Sequence, residues 1–269
     1  MKILFICEVP AKGVGRNVMD LSNYMIANDC EVCIIWSKKR ASIEFIDWLK
    51  INSGKLKSIE IEMPRDIGLK DLFSIKSIYK TIKSGFFVPD IIHGHSSKGG
   101  AYAAILAMLI NKNSVYSPHA FSFIAKFKSF FIPDFRWFFE RILSVNRHII
   151  STSNVEKLLA ETLKPMSIKY IPNGINLNNC VNLPPLKNKL IRQLNISFVG
   201  RLEDQKDPFL FVKIASNLNA LNKPLKFNIF GDGKLFKEIE LEINKRGLSK
   251  IILMHGQKGL DSIFEHTDI

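Results

Sequence analysis

Short strand-like runs alternate with helix-length segments along almost the whole chain, and this alternation limits the possible folds more than any other feature. The strand-like pieces are Ile3–Cys7, Val32–Trp36, Ile91–His95, Ser114–Ser117, His148–Ser151, Lys169–Ile171, Ile196–Val199, Phe227–Phe230 and Ile251–Met254. Between them, Asn17–Asn28, Leu69–Ser84, Ala101–Ile110, Phe209–Leu221 and Leu235–Arg246 carry the helical period. Strands with nearly unbroken apolar runs, each followed by a helix, predict parallel sheets covered on both faces. The predicted fold class is therefore α/β. One break interrupts the rhythm, the Asn- and Pro-rich run "NGINLNNCVNLPPLKNKLIRQLN" from Asn173 to Asn195, which reads as a linker. It predicts a first domain over residues 1–180 and a second over 181–269. The second shows only three strands, and a three-stranded parallel sheet makes a poor independent domain. An incomplete second domain is expected.

Several classes are excluded. No stretch approaches the roughly 20 apolar residues that a membrane span needs. "MKILFICEVP" reads as a buried first strand, since it lacks the length and cleavage site of a signal peptide. Four cysteines are too scattered for a disulfide framework. Cys30 and Cys33, set among Val32, Ile34 and Ile35, read as core thiols, and a reducing cytoplasm is the expected home. The formal charge of +13 asks for an anionic partner: nucleic acid, a membrane surface or phosphorylated ligands. No basic-helix or aromatic-sheet signature supports nucleic acid.

The candidate chemistry sits where strands give way to helices. In "FVGRLEDQKDP" a strand ends at Gly200, and Arg201 and Lys206 follow before a helix that begins near Pro208. Ligands of open parallel sheets lie beyond the carboxyl ends of the strands. A planar guanidinium fork, a mobile ammonium and a helix N-terminus there suit a diphosphate. The alternative is an ordinary solvated loop, with Glu203, Asp204 and Asp207 screening the two cations. "FGDG" offers Gly231, Asp232 and Gly233 in a second tight turn, where a ligand's ring or phosphate can approach closely. "KGVGRN" places Gly13 and Gly15 after the first strand but lacks the third glycine of a dinucleotide fingerprint. "HGHSSKGG" brings His95, Ser96, Ser97 and Lys98 to the start of a helix, and "SPHAFS" brings His119 to the end of the next strand. These donors suit sugar hydroxyls or phosphate. His93, His95 and His119 lack a neighbouring Asp, Glu or Cys to complete a metal site.

Residues 121–139, "FSFIAKFKSFFIPDFRWFF", hold nine of the chain's 28 Phe, Trp and Tyr residues. Phe123, Phe127, Phe130 and Phe131 share a helical face with Lys126 and Lys128 beside it. Aromatic wedges with basic neighbours predict a segment lying in a membrane interface, the alternative being two aromatic core helices.

In this order, "HGHSSKGG", "SPHAFSF", "STSNVEK", "IPNGI", "FVGRLEDQKDP", "FGDG" and the "HG" of His255–Gly256 resemble the family 4 retaining glycosyltransferases of GT-B fold, bacterial surface-polysaccharide enzymes above all. The resemblance implies two Rossmann-like domains facing a cleft. The first would take a lipid-linked or saccharide acceptor through His95, Ser96, Ser97 and Lys98. The second would take a nucleotide-sugar donor, a UDP-sugar. It implies that Arg201 and Lys206 hold the donor diphosphate and stabilise the departing charge. His119 would lie near the transferred sugar, Gly13 and Gly15 near the donor phosphates, Asn173 by the hinge, and Gly200 with Gly231–Gly233 near the nucleotide. Catalysis would need no metal, and the enzyme would sit peripherally on the anionic inner face of the plasma membrane. The family's paired glutamates, separated by seven residues, have no counterpart before Ile269. The rival expectation is thus a truncated, non-catalytic module that binds acceptor or membrane. An epimerase is disfavoured by the missing dinucleotide fingerprint.

Overall fold

The structure is a computed structural model of the 269-residue chain, and it describes residues 1–64, 67–121, 123, 135–144, 147–174, 193–221 and 223–269. The chain divides into two compact units, Met1–Ile175 and Asn176–Ile269.

In the first unit, β1 (Lys2–Cys7), β2 (Glu31–Trp36), β3 (Lys57–Glu60), β4 (Ile91–His95), β5 (Asn113–Ser117), β6 (Arg147–Ser151) and β7 (Ser167–Tyr170) form one sheet in the order β3-β2-β1-β4-β5-β6-β7. Every pairing is parallel. Helices α1 (Lys12–Ala27), α2 (Ile43–Ile51), α3 (Leu69–Lys83), α4 (Ser96–Ile110), α5 (Phe135–Ser144) and α6 (Asn154–Thr162) cross between strands. The pleat sorts the core by parity. Ile3, Phe5 and Cys7 of β1 join Val32, Ile34 and Trp36 of β2 under α1 and α2, while Leu4, Ile6, Cys33 and Ile35 pack beneath α3 and α4. Full burial of each such side chain contributes roughly 1.5–3 kcal/mol. Cys33 lies in the cluster beneath α3 and α4, Cys30 packs against the cluster on the opposite face, and burial pushes the Cys33 thiol up to about 12.

Helices α1 and α4 start earlier than the periodicity predicts, at Lys12 instead of Asn17 and at Ser96 instead of Ala101. Their Gly- and Ser-rich first turns carry little helical signal. Close packing demands those residues: a Cβ on Gly99 would stand 2.6 Å from the Ile6 carbonyl oxygen. Strand β3, "KSIE", was illegible for a related reason, since it is an edge strand with one apolar residue and mostly exposed positions.

In the second unit β8 (Leu194–Val199), β9 (Leu225–Phe230) and β10 (Ile252–Gly256) form a parallel sheet in the order β10-β9-β8, with α7 (Pro208–Asn219), α8 (Phe236–Lys245) and α9 (Leu260–Glu265). Its core gathers Val212 and Ala215 of α7, Ile239 and Ile243 of α8, and Phe227 and Ile229 of β9. Ile269 exchanges backbone hydrogen bonds with Asn195 and Ser197 along the other edge of β8.

Candidate active site

At the carboxyl edge of the second sheet, two loops are laced together by backbone. Gly200 N–H donates to Phe230 O at 2.9 Å, Leu202 N–H to Asp232 O at 3.1 Å, and Gly231 N–H to Gly256 O at 2.8 Å. The approach is close enough that a Cβ on Gly231, whose φ is +137°, would meet Gly200 O at 1.9 Å, and one on Gly233 would meet Leu202 O at 2.4 Å. These glycines are required by the neighbouring loop, whatever else they approach. The Asp232 carboxylate accepts from Gly233 N–H at 2.7 Å, which holds the turn.

Arg201 and Lys206 sit in this laced region and differ in state. The Arg201 guanidinium donates to Glu203 at 2.6 Å and to Gln205 at 3.2 Å. This corrects the expectation of two open cations. The screening alternative describes Arg201, because Glu203 stands two residues away in an extended turn. Asp204 pairs with Lys234, and Asp207, in the left-handed region at φ +46°, caps α7 by accepting from Leu210 N–H. With these acids engaged elsewhere, the exposed Lys206 ammonium makes no ion pair among the described residues. The Arg201–Glu203 pair is itself more than a third exposed on one side and a third on the other, so it contributes only about 0–1 kcal/mol. A doubly charged diphosphate can displace Glu203 at little cost. Nearby, His255 stacks on Phe230 at 4.5 Å and shares a 2.8 Å hydrogen bond with Asn228, and burial lowers its pKa.

In the first unit the candidate residues gather where β1, β4 and β5 end. Cys7, His95 and Ser117 are in register across the three strands. Gly13 and Gly15 lie in the first turn of α1, Gly13 open and Gly15 tight against Pro10. One turn on, the Asn17 amide donates to the Asn173 side chain at 2.9 Å, joining positions 156 residues apart. His93 and His95 stack at 4.2 Å, and His95 Nδ1 lies 3.0 Å from His119 Nε2. Burial pulls His93 down to about 3, with the His119 charge a lesser cause, and holds His95 well below the ordinary 6.5. Burial also lowers His119, opposed by the Glu156 carboxylate.

Three expectations need correction. His95 is completely buried, so its side chain is not exposed to an acceptor. Lys98 is buried as well: its ammonium bonds Asp71 at 2.8 Å and the Pro64 carbonyl, tying α4 to α3. Phe123 is not a membrane wedge. It is 7% exposed, stacks on Phe121 at 5.0 Å and packs with Tyr116 and Ile149. Phe127, Lys128, Phe130 and Phe131 lie outside the described residues. Ser96 and Ser97 remain half-buried at the start of α4, Ser96 bonding its own strand end and Ser97 accepting from Tyr116.

Sequence reasoning passed over Glu156. This buried carboxylate accepts from Ala120 N–H at 2.9 Å and from Thr152 N–H at 2.6 Å, joining the His119 loop to the start of α6. The Ser153-x-x-Glu156 spacing was the available signal, and Ser153 does cap α6. Glu203 was seen only as a screen. Among the described residues no group of three or more His, Cys, Asp or Glu is placed to hold a metal, and no helix is long and apolar enough to cross a membrane.

Two Rossmann-like units in one chain, each with its candidate residues at the carboxyl edge of a parallel sheet, place the protein in the GT-B class of α/β folds. Residues 11–179 match the model of Glycosyltransferase Family 4, and residues 187–269 that of Glycosyl transferases group 1. The chain belongs to glycosyltransferase family 4. A curated relative is the Escherichia coli UDP-Gal:alpha-D-GlcNAc-diphosphoundecaprenol alpha-1,3-galactosyltransferase, 30% identical over 221 residues. The match takes in 76% of this chain and 57% of that protein, so the chain spans little more than half of its relative's length. Anabaena Alr3699/HepE, solved in complex with UDP, superposes over 100% of this chain and 72% of its own, with a TM-score of 0.73 at 16% identity. A glycosyltransferase from Rickettsia africae superposes over 99% and 71%, with a TM-score of 0.72 at 18% identity. The two solved proteins share the fold.

Proposed function

We propose that the chain transfers a sugar from a UDP-sugar to a lipid-linked acceptor, with retention at the anomeric carbon, in bacterial surface-polysaccharide synthesis. The observation that carries the donor half is the laced pair of turns, which holds Arg201 and Lys206 at one sheet edge with an exposed ammonium and a displaceable guanidinium. Such cations attract the diphosphate on binding and lower the barrier as the leaving group gathers charge, the work a divalent metal performs elsewhere. A metal-independent reaction follows from that division of labour. The UDP held by the Anabaena neighbour and the diphosphoundecaprenol acceptor named for the Escherichia coli relative support the two substrate classes. Radiolabelled UDP-galactose, UDP-glucose and UDP-N-acetylglucosamine, offered with a polyprenyl-diphosphate sugar in the presence of EDTA, test the reading. Label should move to the lipid, NMR of the product should show the donor's α configuration, and Arg201→Ala should lose at least about tenfold in kcat/KM. Failure of every donor, or unchanged kinetics in Arg201→Ala, would sink it.

A peripheral place on the cytoplasmic face of the membrane draws its support from α3. Leu69, Leu72 and Phe73 are 63–78% exposed, and Lys70, Lys76, Lys80 and Lys83 are exposed on the same helix. Its single acid, Asp71, is buried on Lys98. An exposed apolar face with exposed cations on the same helix complements an anionic bilayer. Cosedimentation with phosphatidylglycerol vesicles, weak with phosphatidylcholine and lost in Leu72→Asp/Phe73→Asp, is the expected result. Equal binding to both vesicles, or to neither, would count against it.

A further inference from the structure

The imidazole row at the ends of β4 and β5 has a hydrogen-bonding problem with one good solution. His95 Nδ1 lies 3.0 Å from His119 Nε2, with the rings 17° from parallel. The other nitrogen of His95, Nε2, is buried without a hydrogen-bond partner among the described residues. Around it are the Phe5 ring, 5.5 Å away between centroids, and the stacked His93. A neutral imidazole has one N–H and one lone pair, so the contact can be made in two ways. If His119 donates from Nε2, the His95 proton must sit on Nε2 and becomes a buried orphan N–H. If His95 donates from Nδ1, only a lone pair is left unmatched. Orphaned buried N–H groups are rarer than under-satisfied acceptors, and they forfeit the full desolvation cost of the donor. A second restraint acts on the same side chain. His119 and Ala120 adopt φ values of +54° and +100°, and Glu156 clamps the Ala120 N–H at 2.9 Å. Two successive non-glycine residues in that region cost of order 1–3 kcal/mol each, and they persist where the surroundings over-determine them.

We infer that His95 is a positioning residue: it donates from Nδ1 to His119 Nε2 and fixes His119 as the Nδ1–H tautomer, a neutral hydrogen-bond donor and not a base. His119 is partly exposed, and its Nδ1 carries no hydrogen bond among the described residues, so the fixed proton is available to a ligand oxygen. To accept a proton at Nε2, His119 would have to break the bond to His95. That the oxygen belongs to the transferred sugar rests on the proposed function; the tautomer does not.

Two-bond 1H–15N correlation spectra of the full chain, labelled at histidine and recorded at pH 7.5, read the tautomer whether or not transfer is detected. The expected spectrum has protonated Nδ1 and bare Nε2 in both His119 and His95. A protonated Nε2 in His119, or averaged shifts that report both tautomers, would overturn the inference. Two variants separate positioning from packing. His95→Phe keeps a stacked ring without the donor, and should mix the His119 tautomers and lower kcat about tenfold, with UDP affinity within about twofold of the original. His95→Asn restores an N–H near the position of Nδ1, and should recover the Nδ1–H signature and most of the rate. A His95→Phe protein whose His119 spectrum and kcat match the original would also overturn it. Should the phenylalanine variant fail to fold, the unaltered chain's spectrum and the asparagine variant still decide. Absence of transfer beside the expected spectrum would sink the functional reading and leave the tautomer standing.

Discussion

The two units hold their candidate residues by opposite means. In the first, the groups at the sheet edge are buried side chains that position one another: His93 on His95, His95 on His119, Glu156 on two backbone N–H groups. In the second, the cations are exposed and the backbone does the positioning, through turns that fit only because glycine stands at 231 and 233. The first site is therefore vulnerable to changes in protonation and hydrogen bonding, the second to any added atom.

The largest expected effect tests that contrast directly. Gly231→Ala puts a methyl 1.9 Å from the Gly200 carbonyl oxygen at φ +137°. Steric overlap and backbone strain together should cost roughly 3 kcal/mol or more. Urea unfolding followed by hydrogen exchange should show the second unit's amides losing protection while those of β1 and β4 keep theirs. Equal loss in both units would mean that their stabilities are not separate. In the first unit the matching change is Lys98→Met, which leaves the Asp71 carboxylate with Tyr102 and the Gly68 N–H but without its cation, and should cost about 1–3 kcal/mol. KM for the acceptor should hardly change. A large rise in KM without loss of stability would restore Lys98 to the acceptor site.

Acid should separate the units next. His93 titrates near 6.5 in an unfolded chain and near 3 when folded, so between those values the unfolded state binds the extra proton. Stability from this residue is complete above pH 6.5 and is lost as the pH falls toward 3. His95, which burial also holds well below its ordinary value, has the same sign and adds to the loss. Asp71, which burial would raise but hydrogen bonds from Lys98, Tyr102 and Gly68 hold below its ordinary value, adds to the loss at the acid end. Among the described residues of the second unit, the histidine that burial lowers is His255. Thermal melts from pH 7 to pH 4 should lower the first unit's transition more steeply, and parallel shifts would break the contrast.

Legibility in the sequence followed the same division. The parallel α/β architecture was plain because β1 and β2 are buried on both faces and so carry apolar runs unbroken after their first residue. The strand-end motifs were legible too, since Gly200 follows β8 directly and His95 is the last residue of β4. What could not be read was environment. "HGHSSKGG" lists donors but does not say that His95 and Lys98 point inward, a fact set by the parity of β4 and by the reach of Asp71 from α3. Phe123 reads like an interfacial aromatic, and becomes core only through Phe121 and Ile149. Glu156 and Asn173 gain meaning from Ala120 and Asn17, 36 and 156 residues away.

The smallest effect sharpens the contrast most, because it concerns a side-chain contact in the unit otherwise organised by backbone. Glu203 holds the Arg201 guanidinium at 2.6 Å with both partners substantially exposed. If the guanidinium is meant for a diphosphate, Glu203 is a weak competitor that each incoming donor must displace. Removing it should then tighten UDP binding. The gain is bounded by the worth of such a pair, up to about 1 kcal/mol, or roughly fivefold in Kd, and it should shrink as salt screens the competition. If Arg201 is simply one end of a surface ion pair, Glu203→Ala should leave UDP affinity unchanged at every ionic strength. Calorimetric titration at low and moderate salt separates the two, with Glu203→Gln as the variant that keeps the shape and removes only the charge.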